Sequence, residues 1–152
     1  MTPSDRLYEF LRGWEGVGGN PVLEAYLDGA GVPTIGYGHT AGVLMGQTIN
    51  ADQAEQFLER DMLGPSASMT AAIKVPVSQQ QFDAVCSLAF NVGSGAIRGS
   101  TLMRKLNGAE FDAAALQFIC WDRSGGVEVD GLEKRRAAET RMFVSGDYSG
   151  RP

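Results

Sequence analysis

The sequence predicts an α+β fold that is predominantly helical, with a small β-containing lobe near the N-terminus and a larger helical lobe. Apolar residues recur every three or four positions before residue 15 and from residue 50 onward, which is typical of amphipathic helices. The stretch 16–40 is rich in glycine and carries β-branched and aromatic residues, a pattern that favours short strands. We therefore expect one domain over 1–152, with the β lobe at about 15–50, the helical lobe at about 1–14 and 51–147, and a cleft between them.

The first helix is predicted from its start signal and its apolar stripe. Ser4 is a plausible N-cap, and apolar residues follow it at helical spacing: Leu7, Phe10, Leu11 and Trp14. Glycines at positions 16, 18 and 19 then end the helix, which leaves Glu15 at its last turn. Short strands are expected next, over residues 23–40, with turns at Asp28-Gly29 and Gly31.

Every later signal is helical. Asn50 with Gln53, and Ser78 with Gln81, have the spacing of capping boxes, in which each side chain accepts a bond from the other residue's backbone N–H. Pro65 and Pro76 are predicted to separate helices. After a break at 91–95, further helices are predicted over 100–106, 110–121 and 131–144, the last one ending at Gly146.

Size and charge exclude several classes of function. The chain has 152 residues and a mass of 16.2 kDa, the size of one ordinary domain. Its formal net charge of −5 argues against nucleic acid as the main partner, because phosphate neutralisation needs an excess of Lys and Arg. No apolar run approaches the ~20 residues of a membrane span, and the N-terminus lacks the pattern of a secretory signal. We expect no nucleic-acid partner and no stable membrane insertion.

The clearest basic run, Lys134-Arg135-Arg136, allows two interpretations. It stands among Glu133 and Glu139, so it can form a solvated helix face with ion pairs three or four residues apart. The same run can steer an anionic polymer toward the protein.

The two cysteines and the single histidine offer little material for a metal site. Cys86 and Cys120 each fall in an apolar helical pattern and are expected to be buried as small hydrophobes, with a disulfide between them as the alternative. With one histidine and no CxxC motif, we expect no metal and no other cofactor.

Three residues of the opening segment suit the cleavage of a glycosidic bond, which usually needs one protonated and one ionised carboxyl group. Glu15 adjoins an apolar helix that can supply the desolvated site of a general acid. Asp28 is expected to stay ionised, and the Thr34 hydroxyl can hold a water molecule because it both donates and accepts. Each also has a structural interpretation. Glu15 can be a carboxylate at a solvated helix end, Asp28 a turn residue bonded to its own backbone, and Thr34 a strand residue.

Three neighbouring residues are less specific. Glu24 is an alternative acid, ranked below Glu15 because no apolar helix adjoins it. His39 is expected to be a hydrogen-bonded structural residue, since no Ser or Cys signature suggests a triad. Tyr37 lies between two glycines, which is a weak signal of close backbone approach.

Several separated motifs follow one another in a characteristic order. The early ones are Glu15-Gly16, Tyr26-Leu27-Asp28 and Thr34-Ile35-Gly36-Tyr37-Gly38-His39. The later ones are Gln81-Phe82-Asp83-Ala84, Phe90-Asn91-Val92-Gly93, Ser100-Thr101-Leu102, and Gly131-Leu132 with Arg135-Arg136-Ala137-Ala138-Glu139. Over about residues 4–145, this pattern resembles the phage-type lysozymes of glycoside hydrolase family 24, which act as endolysins.

The resemblance implies a lysozyme-like fold and hydrolysis of the β-1,4 bond between N-acetylmuramic acid and N-acetylglucosamine in bacterial peptidoglycan. It implies that Glu15 is the proton donor and that Asp28 and Thr34 place the attacking water. This chain departs from the family pattern at one place. Twelve residues separate Glu15 from Asp28, which is more than is usual between the two carboxylates of family members. The additional residues, around Gly18 to Pro21, predict a longer loop that reshapes one wall of the cleft and keeps Glu24 open as an alternative.

The resemblance also suggests supporting residues. Asn91 and Tyr37 are expected to bind substrate. His39 is expected to pair with Asp61 of a later helix in a mainly structural role.

We expect direct displacement by water with inversion, which requires ~6.5–9.5 Å between the two carboxyl groups. A lytic transglycosylase on the same substrate and a non-catalytic cell-wall-binding module on the same fold are the alternatives. The family further implies a monomer that collects in the host bacterial cytoplasm. It would reach the cell wall in the periplasm once a separate holin has permeabilised the membrane.

Overall fold

The first helix begins and ends where the sequence predicts. The computed structural model describes residues 1–124, 127–128 and 130–152, apart from the side chains of residues 123–130. Helix α1 comprises Asp5–Glu15, and the Ser4 Oγ at its N-cap accepts a hydrogen bond from the Leu7 N–H at 3.3 Å. Gly16 ends the helix, and its N–H donates to the Arg12 carbonyl at 3.1 Å. Glu15 is therefore the last residue of α1.

The β lobe contains an antiparallel hairpin. Strands β1 (Val22–Leu27) and β2 (Pro33–Gly36) pair with Tyr26 opposite Thr34. After β2 the chain reverses in a tight loop, in which the backbones of Ile35 and His39 exchange two hydrogen bonds of 2.9 Å. Glycine is needed in this loop, because φ is 65° at Gly36 and 83° at Gly38.

The two longest predicted helices are confirmed at their starts. Helices α2 (Ala51–Ala72) and α3 (Gln79–Val92) both open with the predicted capping boxes. The other α-helices of the described residues are α4 (Ser94–Arg98), α5 (Thr101–Asn107), α6 (Phe111–Ala115) and α7 (Asp130–Ser145). In the described part of the chain, no helix has both the length and the apolar character that crossing a membrane requires.

The prediction that Pro65 separates two helices is wrong, because α2 continues through it. Proline removes one backbone donor from the helix, and here Ser66 adds a side-chain hydrogen bond to the Met62 carbonyl at 2.8 Å. Met62 and Met69, on either side of Pro65, are fully buried in the main core. Tertiary packing thus holds together a helix that the local sequence disfavours. Pro76 does lie between α2 and α3.

The prediction of one helix over 110–121 is also wrong. After α6 the chain forms a 3₁₀ helix, Phe118–Trp121, and then two short antiparallel strands, β3 (Arg123–Ser124) and β4 (Val127–Glu128). Two-residue strands carry no periodic signal, so the sequence could not reveal them.

This change of helix type decides the environment of one cysteine. Both cysteines are free, and Cys86 is buried as expected, but Cys120 is exposed. In the tighter 3₁₀ segment, Phe118 takes the buried position and Cys120 faces outward.

Two hydrophobic clusters are formed by the residues that the structure describes. The main core joins the helices and includes Leu7, Phe10 and Leu11 of α1. A small cluster under the hairpin contains Ala25, Ile35 and Val43, with Ile49 and Phe57 packed against it. Helix α2 contributes to both clusters and so fixes the hairpin to the helices.

Candidate functional site

Glu15 lies where α1, α7 and the loop after β2 meet. Its Oε1 is 2.7 Å from Nη1 of Arg135, whose side chain is 5% exposed against 20% for Glu15. A methyl group placed on Gly38 would lie 3.8 Å from Oε2 of Glu15, so the glycine loop approaches the other carboxylate oxygen. The glycine loop therefore lies next to the candidate acid.

The pair with Arg135 belongs to a buried cluster on α7, formed by Arg135, Arg136 and Glu139 and called the α7 cluster below. Oε1 of Glu139 accepts hydrogen bonds from the Ser87 Oγ at 2.6 Å, Arg136 Nη2 at 3.2 Å and Arg135 Nε at 3.3 Å. Arg136 Nη2 also donates to Oδ1 of Asn91 at 2.9 Å. A continuous chain of polar contacts thus joins the end of α1 to the end of α3.

Burial governs the electrostatics of the α7 cluster. It raises the pKa of Glu139, while the guanidinium groups of Arg136 and Arg135 act in the opposite direction. It lowers the pKa of Arg136, which nevertheless stays charged because a guanidinium in a protein does not deprotonate. Ion pairs this deep depend on every partner, since removal of one leaves a buried charge uncompensated.

Both interpretations of the basic run are wrong for Arg135 and Arg136. A solvated face and the steering of a polymer each need exposed guanidinium groups, yet Arg136 is 0% exposed and Arg135 5%. The ion pairs three and four residues apart are present, with Arg136 Nε 2.9 Å from Glu139 Oε2 and Arg135 Nε 3.3 Å from Glu139 Oε1. These pairs lie inside the protein because α3 packs on this face of α7, and Glu15 at the end of α1 contacts Arg135.

Asp28 and Thr34 are brought together through one residue between them. Oδ1 of Asp28 accepts hydrogen bonds from the N–H groups of Ala30 at 2.9 Å and Val32 at 2.8 Å. The Thr34 Oγ1 donates to the Val32 carbonyl at 2.9 Å, and its side chain is 3% exposed. The hydroxyl therefore keeps its capacity to accept, and Oδ2 of Asp28 has no hydrogen-bond partner among the described residues.

The alternative acid, Glu24, lies in a different environment. It is exposed on β1 and bridges to Thr48 through the backbone. No described residue forms a hydrogen bond or ion pair with its side chain. Glu15, by contrast, is partly buried and paired with a cation.

His39 and Asp61 form the contact that the family resemblance implies. Nδ1 of His39 lies 2.8 Å from Oδ2 and 3.0 Å from Oδ1 of Asp61, and it donates because a carboxylate only accepts. The imidazole also stacks on the Phe57 ring at a centroid distance of 4.2 Å. These contacts tie the loop after β2 to α2.

The two residues predicted to bind substrate differ in exposure. Asn91 is exposed at the end of α3. Tyr37 is only 5% exposed and packs in the main core, so its side chain offers little surface to a saccharide. Burial and the neighbouring Glu55 carboxylate raise the pKa of Tyr37, and Glu55 is paired with Arg12 of α1 at 2.9 Å. The structure thus gives Tyr37 the position of an anchor for the glycine loop.

Sequence reasoning missed Arg135, which contacts the acid, and the residues that hold Arg135 in place. Ser87, Arg135 and Glu139 were not among the candidates, although their spacing held a signal. Ser87 and Asn91 are four apart on α3, and Arg135 and Glu139 are four apart on α7, so each pair shares one helix face. Nothing in either spacing indicates that the two faces meet.

Comparisons with known proteins agree along nearly the whole chain. Residues 12–139 match the model of the family described as Phage lysozyme. The endolysin of Acyrthosiphon pisum secondary endosymbiont phage 1 is 42% identical over 149 residues, which cover 95% of this chain and 99% of that protein. The endolysin of Salmonella phage P22 is 40% identical over 128 residues, which cover 81% of this chain and 87% of that protein. Among solved structures, the endolysin from Escherichia coli O157:H7 phage FAHEc1 has a TM-score of 0.88 at 35% identity, covering 100% of this chain and 97% of that one.

Proposed function

The chain belongs to the phage lysozyme family, and from this we propose that Glu15 is the general acid of a muramidase, with Asp28 and Thr34 placing the attacking water. The protein is a peptidoglycan-hydrolysing endolysin, as its family and its relatives indicate. As a lysozyme it acts on the β-1,4 bond between N-acetylmuramic acid and N-acetylglucosamine. The observation that carries the assignment is the position of the Glu15 carboxylate between Arg135 and the glycine loop.

The proposed reaction begins with a protonated Glu15. Its carboxyl group gives the proton to the glycosidic oxygen as the bond from the anomeric carbon to that oxygen breaks. The resulting carboxylate is stabilised by Arg135, whose Nη1 is already 2.7 Å from Oε1. The ion pair therefore matches the charge that Glu15 acquires during the reaction.

Water completes the displacement from the opposite face of the sugar. Thr34 accepts a hydrogen bond from one hydrogen of this water. Asp28 takes the water's other proton as the water oxygen attacks the anomeric carbon. The support for this role is that Val32 holds both side chains in one place. Inversion requires the Glu15 and Asp28 carboxyl groups to be ~6.5–9.5 Å apart when the sugar is bound.

Other residues support the site in this proposal. Asn91 binds the saccharide and is oriented by Arg136. His39 and Asp61 hold the loop that approaches Glu15, and Tyr37 anchors the same loop. The β lobe and the helical lobe form one domain with the cleft between them.

The direct test replaces Glu15 with Gln and measures the release of reducing ends from purified peptidoglycan. Because a general acid contributes about 10²–10⁴-fold, Glu15→Gln should lose most of the turnover at temperatures where circular dichroism shows it folded. Its unfolding temperature should fall, because the buried Arg135 loses one counter-charge. Glu24→Gln is the matched control and should retain activity. Full activity in Glu15→Gln together with loss in Glu24→Gln would show that Glu24 is the acid.

Product analysis separates hydrolysis from the alternatives. Mass spectrometry of the released muropeptides should show reducing termini, whereas a lytic transglycosylase would leave an anhydro ring. Proton NMR of the first product should show the inverted anomer, and a trapped covalent glycosyl-enzyme would exclude the inverting route. A binding module would leave a suspension of permeabilised cells turbid.

Release and assembly complete the proposal. The endolysin collects in the host cytoplasm as a monomer, and a separate holin opens the way to the periplasmic cell wall. Fractionation of host cells with and without an induced holin tests this: the protein should reach the wall only when the holin is present. Sedimentation at micromolar concentration tests the monomer.

A further inference from the structure

The segment after α7, residues 146–152, returns across α1. Its Tyr148 hydroxyl donates to Oδ2 of Asp83 at 2.7 Å. Asp83 is fully buried and also accepts from the Ser4 N–H at 3.2 Å, at the N-cap of α1. Arg6 of α1 lies over the Tyr148 ring at 4.1 Å and donates to the Gly146 carbonyl at 3.1 Å. One end of the segment is therefore fixed at the start of α1.

The other end of the segment lies on the last turns of the same helix. A methyl group placed on Gly13 would lie 2.6 Å from Cδ and 2.8 Å from Nε of Arg151, so the Arg151 side chain covers this glycine. The neighbouring Gly150 is buried against Ala138 of α7, and a methyl group there would overlap the Ala138 side chain. Glycine at positions 13 and 150 thus makes room for the segment.

The lengths of the two elements agree with this course. Seven residues of helix from Arg6 to Gly13 span about 10 Å at ~1.5 Å per residue. Three residues of chain from Tyr148 to Arg151 can span at most about 10 Å, which is enough to cover that length. The segment therefore has the reach to extend from Arg6 near the start of α1 to Gly13 near its end, with Gly150 against Ala138 of α7.

The end of the segment reaches the loop that follows Glu15. Arg151 and Pro152 line a cavity of about 400 Å³ together with Gly13, Gly16, Gly18 and Gly19. Among the described residues, α1 and α7 both pack on α3 and make few direct backbone contacts with each other. The segment bridges the two helices close to their paired side chains, because Gly13 precedes Glu15 by two residues and Ala138 follows Arg135 by three.

We propose that Tyr148–Arg151 is a strap that sets the position of α1 against α7, and with it the position of Glu15 against Arg135. Tyr148 and Arg151 are then positioning residues for the acid, which they do not touch. This inference rests on the proposed function, since it assigns the strap a role in placing the general acid. A shift of about 1 Å in a catalytic group lowers the rate by up to about 10²-fold, so a loosened strap should lower kcat.

The decisive variant is Gly13→Ala. Its Cβ would displace the flexible end of the Arg151 side chain, while alanine itself favours the helix interior. Gly13→Ala and Arg151→Ala should each lower kcat on purified peptidoglycan by about tenfold, with KM within about twofold, at temperatures where circular dichroism shows both variants folded. The double variant should lose no more than either single one, because both remove the same contact. Arg151→Lys should recover much of the rate, since its aliphatic stem still covers Gly13.

Lys105→Ala is the matched control, because it removes a surface ion pair to Glu110 of 2.6 Å and should leave kcat unchanged. The positioning role of the strap is refuted if Gly13→Ala and Arg151→Ala are folded and keep the wild-type kcat. If Glu15→Gln has lost activity in the same assay, the proposed function stands. Should Arg151→Ala fail to fold, Gly13→Ala decides alone. An active Glu15→Gln would instead refute the acid assignment on which the strap depends.

Discussion

Oε1 of Glu15 lies 2.7 Å from Nη1 of Arg135, so an ion pair joins the last residue of α1 to the face of α7 that is buried against α3. Arg135 also bonds Glu139, which is fully buried and shares a hydrogen bond with Arg136. The candidate acid is thus one of two carboxylates, with Glu139, whose negative charges balance the two guanidinium groups of Arg135 and Arg136. The cluster has a double role, since the contacts that stabilise the helix packing also place Glu15.

Replacing Arg136 with Met should destabilise the protein by about 3–5 kcal/mol, because it leaves a buried carboxylate short of one counter-charge. Arg136 is 0% exposed, and its Nε is 2.9 Å from Oε2 of Glu139. Urea unfolding measures the effect. Lys134→Met, at an exposed neighbouring position, should change the free energy of unfolding by no more than about 0.5 kcal/mol. Equal changes in the free energy of unfolding for the two variants would mean that the buried pair of Arg136 and Glu139 contributes nothing to stability.

Thr34→Val should separate the proposed role in water placement from a role in folding. Valine keeps the shape of threonine but removes the hydroxyl that donates to Val32 at 2.9 Å, at a cost of about 0.5–1.5 kcal/mol in stability. The rate of peptidoglycan hydrolysis should fall by about 10²-fold if the hydroxyl positions the water. Thr34→Ser, which keeps the hydroxyl, should retain much of the rate. If the valine variant is as active as the serine variant, the water is held by another group.

Asp61→Asn tests whether the pair with His39 is structural. The amide oxygen can still accept from Nδ1, but the charge-assisted bond of 2.8 Å becomes a neutral one, so stability should fall by about 1 kcal/mol. The kcat measured well below the unfolding temperature should stay within about twofold of that of the unaltered protein. A large fall in kcat without a change in Tm would give the pair a direct part in the reaction.

The protein should lose stability as the pH rises above about 8.5, and Cys86 should be one cause. Burial raises the pKa of the Cys86 thiol well above its ordinary value. In the unfolded chain the thiol deprotonates near pH 8.5, while in the folded protein it stays protonated, so the unfolded state binds fewer protons and stability falls with rising pH. One such group contributes a slope of up to about 1.4 kcal/mol per pH unit.

Cys86→Ala measures this contribution directly. Its free energy of unfolding should be lower at pH 7, because a buried side chain is shortened, but should decline less between pH 8.5 and 10. The tyrosines with raised pKa values, Tyr8, Tyr37 and Tyr148, remain in the variant and account for the decline above about pH 10. Parallel pH curves for the two proteins would exclude the thiol as a cause.

Local chemistry let the sequence predict where many elements begin and end. Ser4, Asn50 with Gln53, and Ser78 with Gln81 bond backbone groups three residues away, and such bonds depend on neighbours in the chain alone. The glycines after Glu15 likewise end α1 for conformational reasons that need no partner. The positions of Glu15, Asp28 and Thr34 on the end of a helix, in a turn and in a strand followed from these signals.

Burial and contact between distant elements were decided only by the tertiary structure. Arg135 and Arg136 have the sequence pattern of a solvated face, yet both are buried where α7 packs on α3. Helix α2 continues through Pro65 because the residues on both sides of it are packed in the core. Residues 148–151 show no periodic pattern at all, and their course along α1 depends on two glycines that are far apart in the chain. A periodic pattern predicts which residues share a face of an element, but the element that will cover that face is set by packing energies summed over the whole molecule.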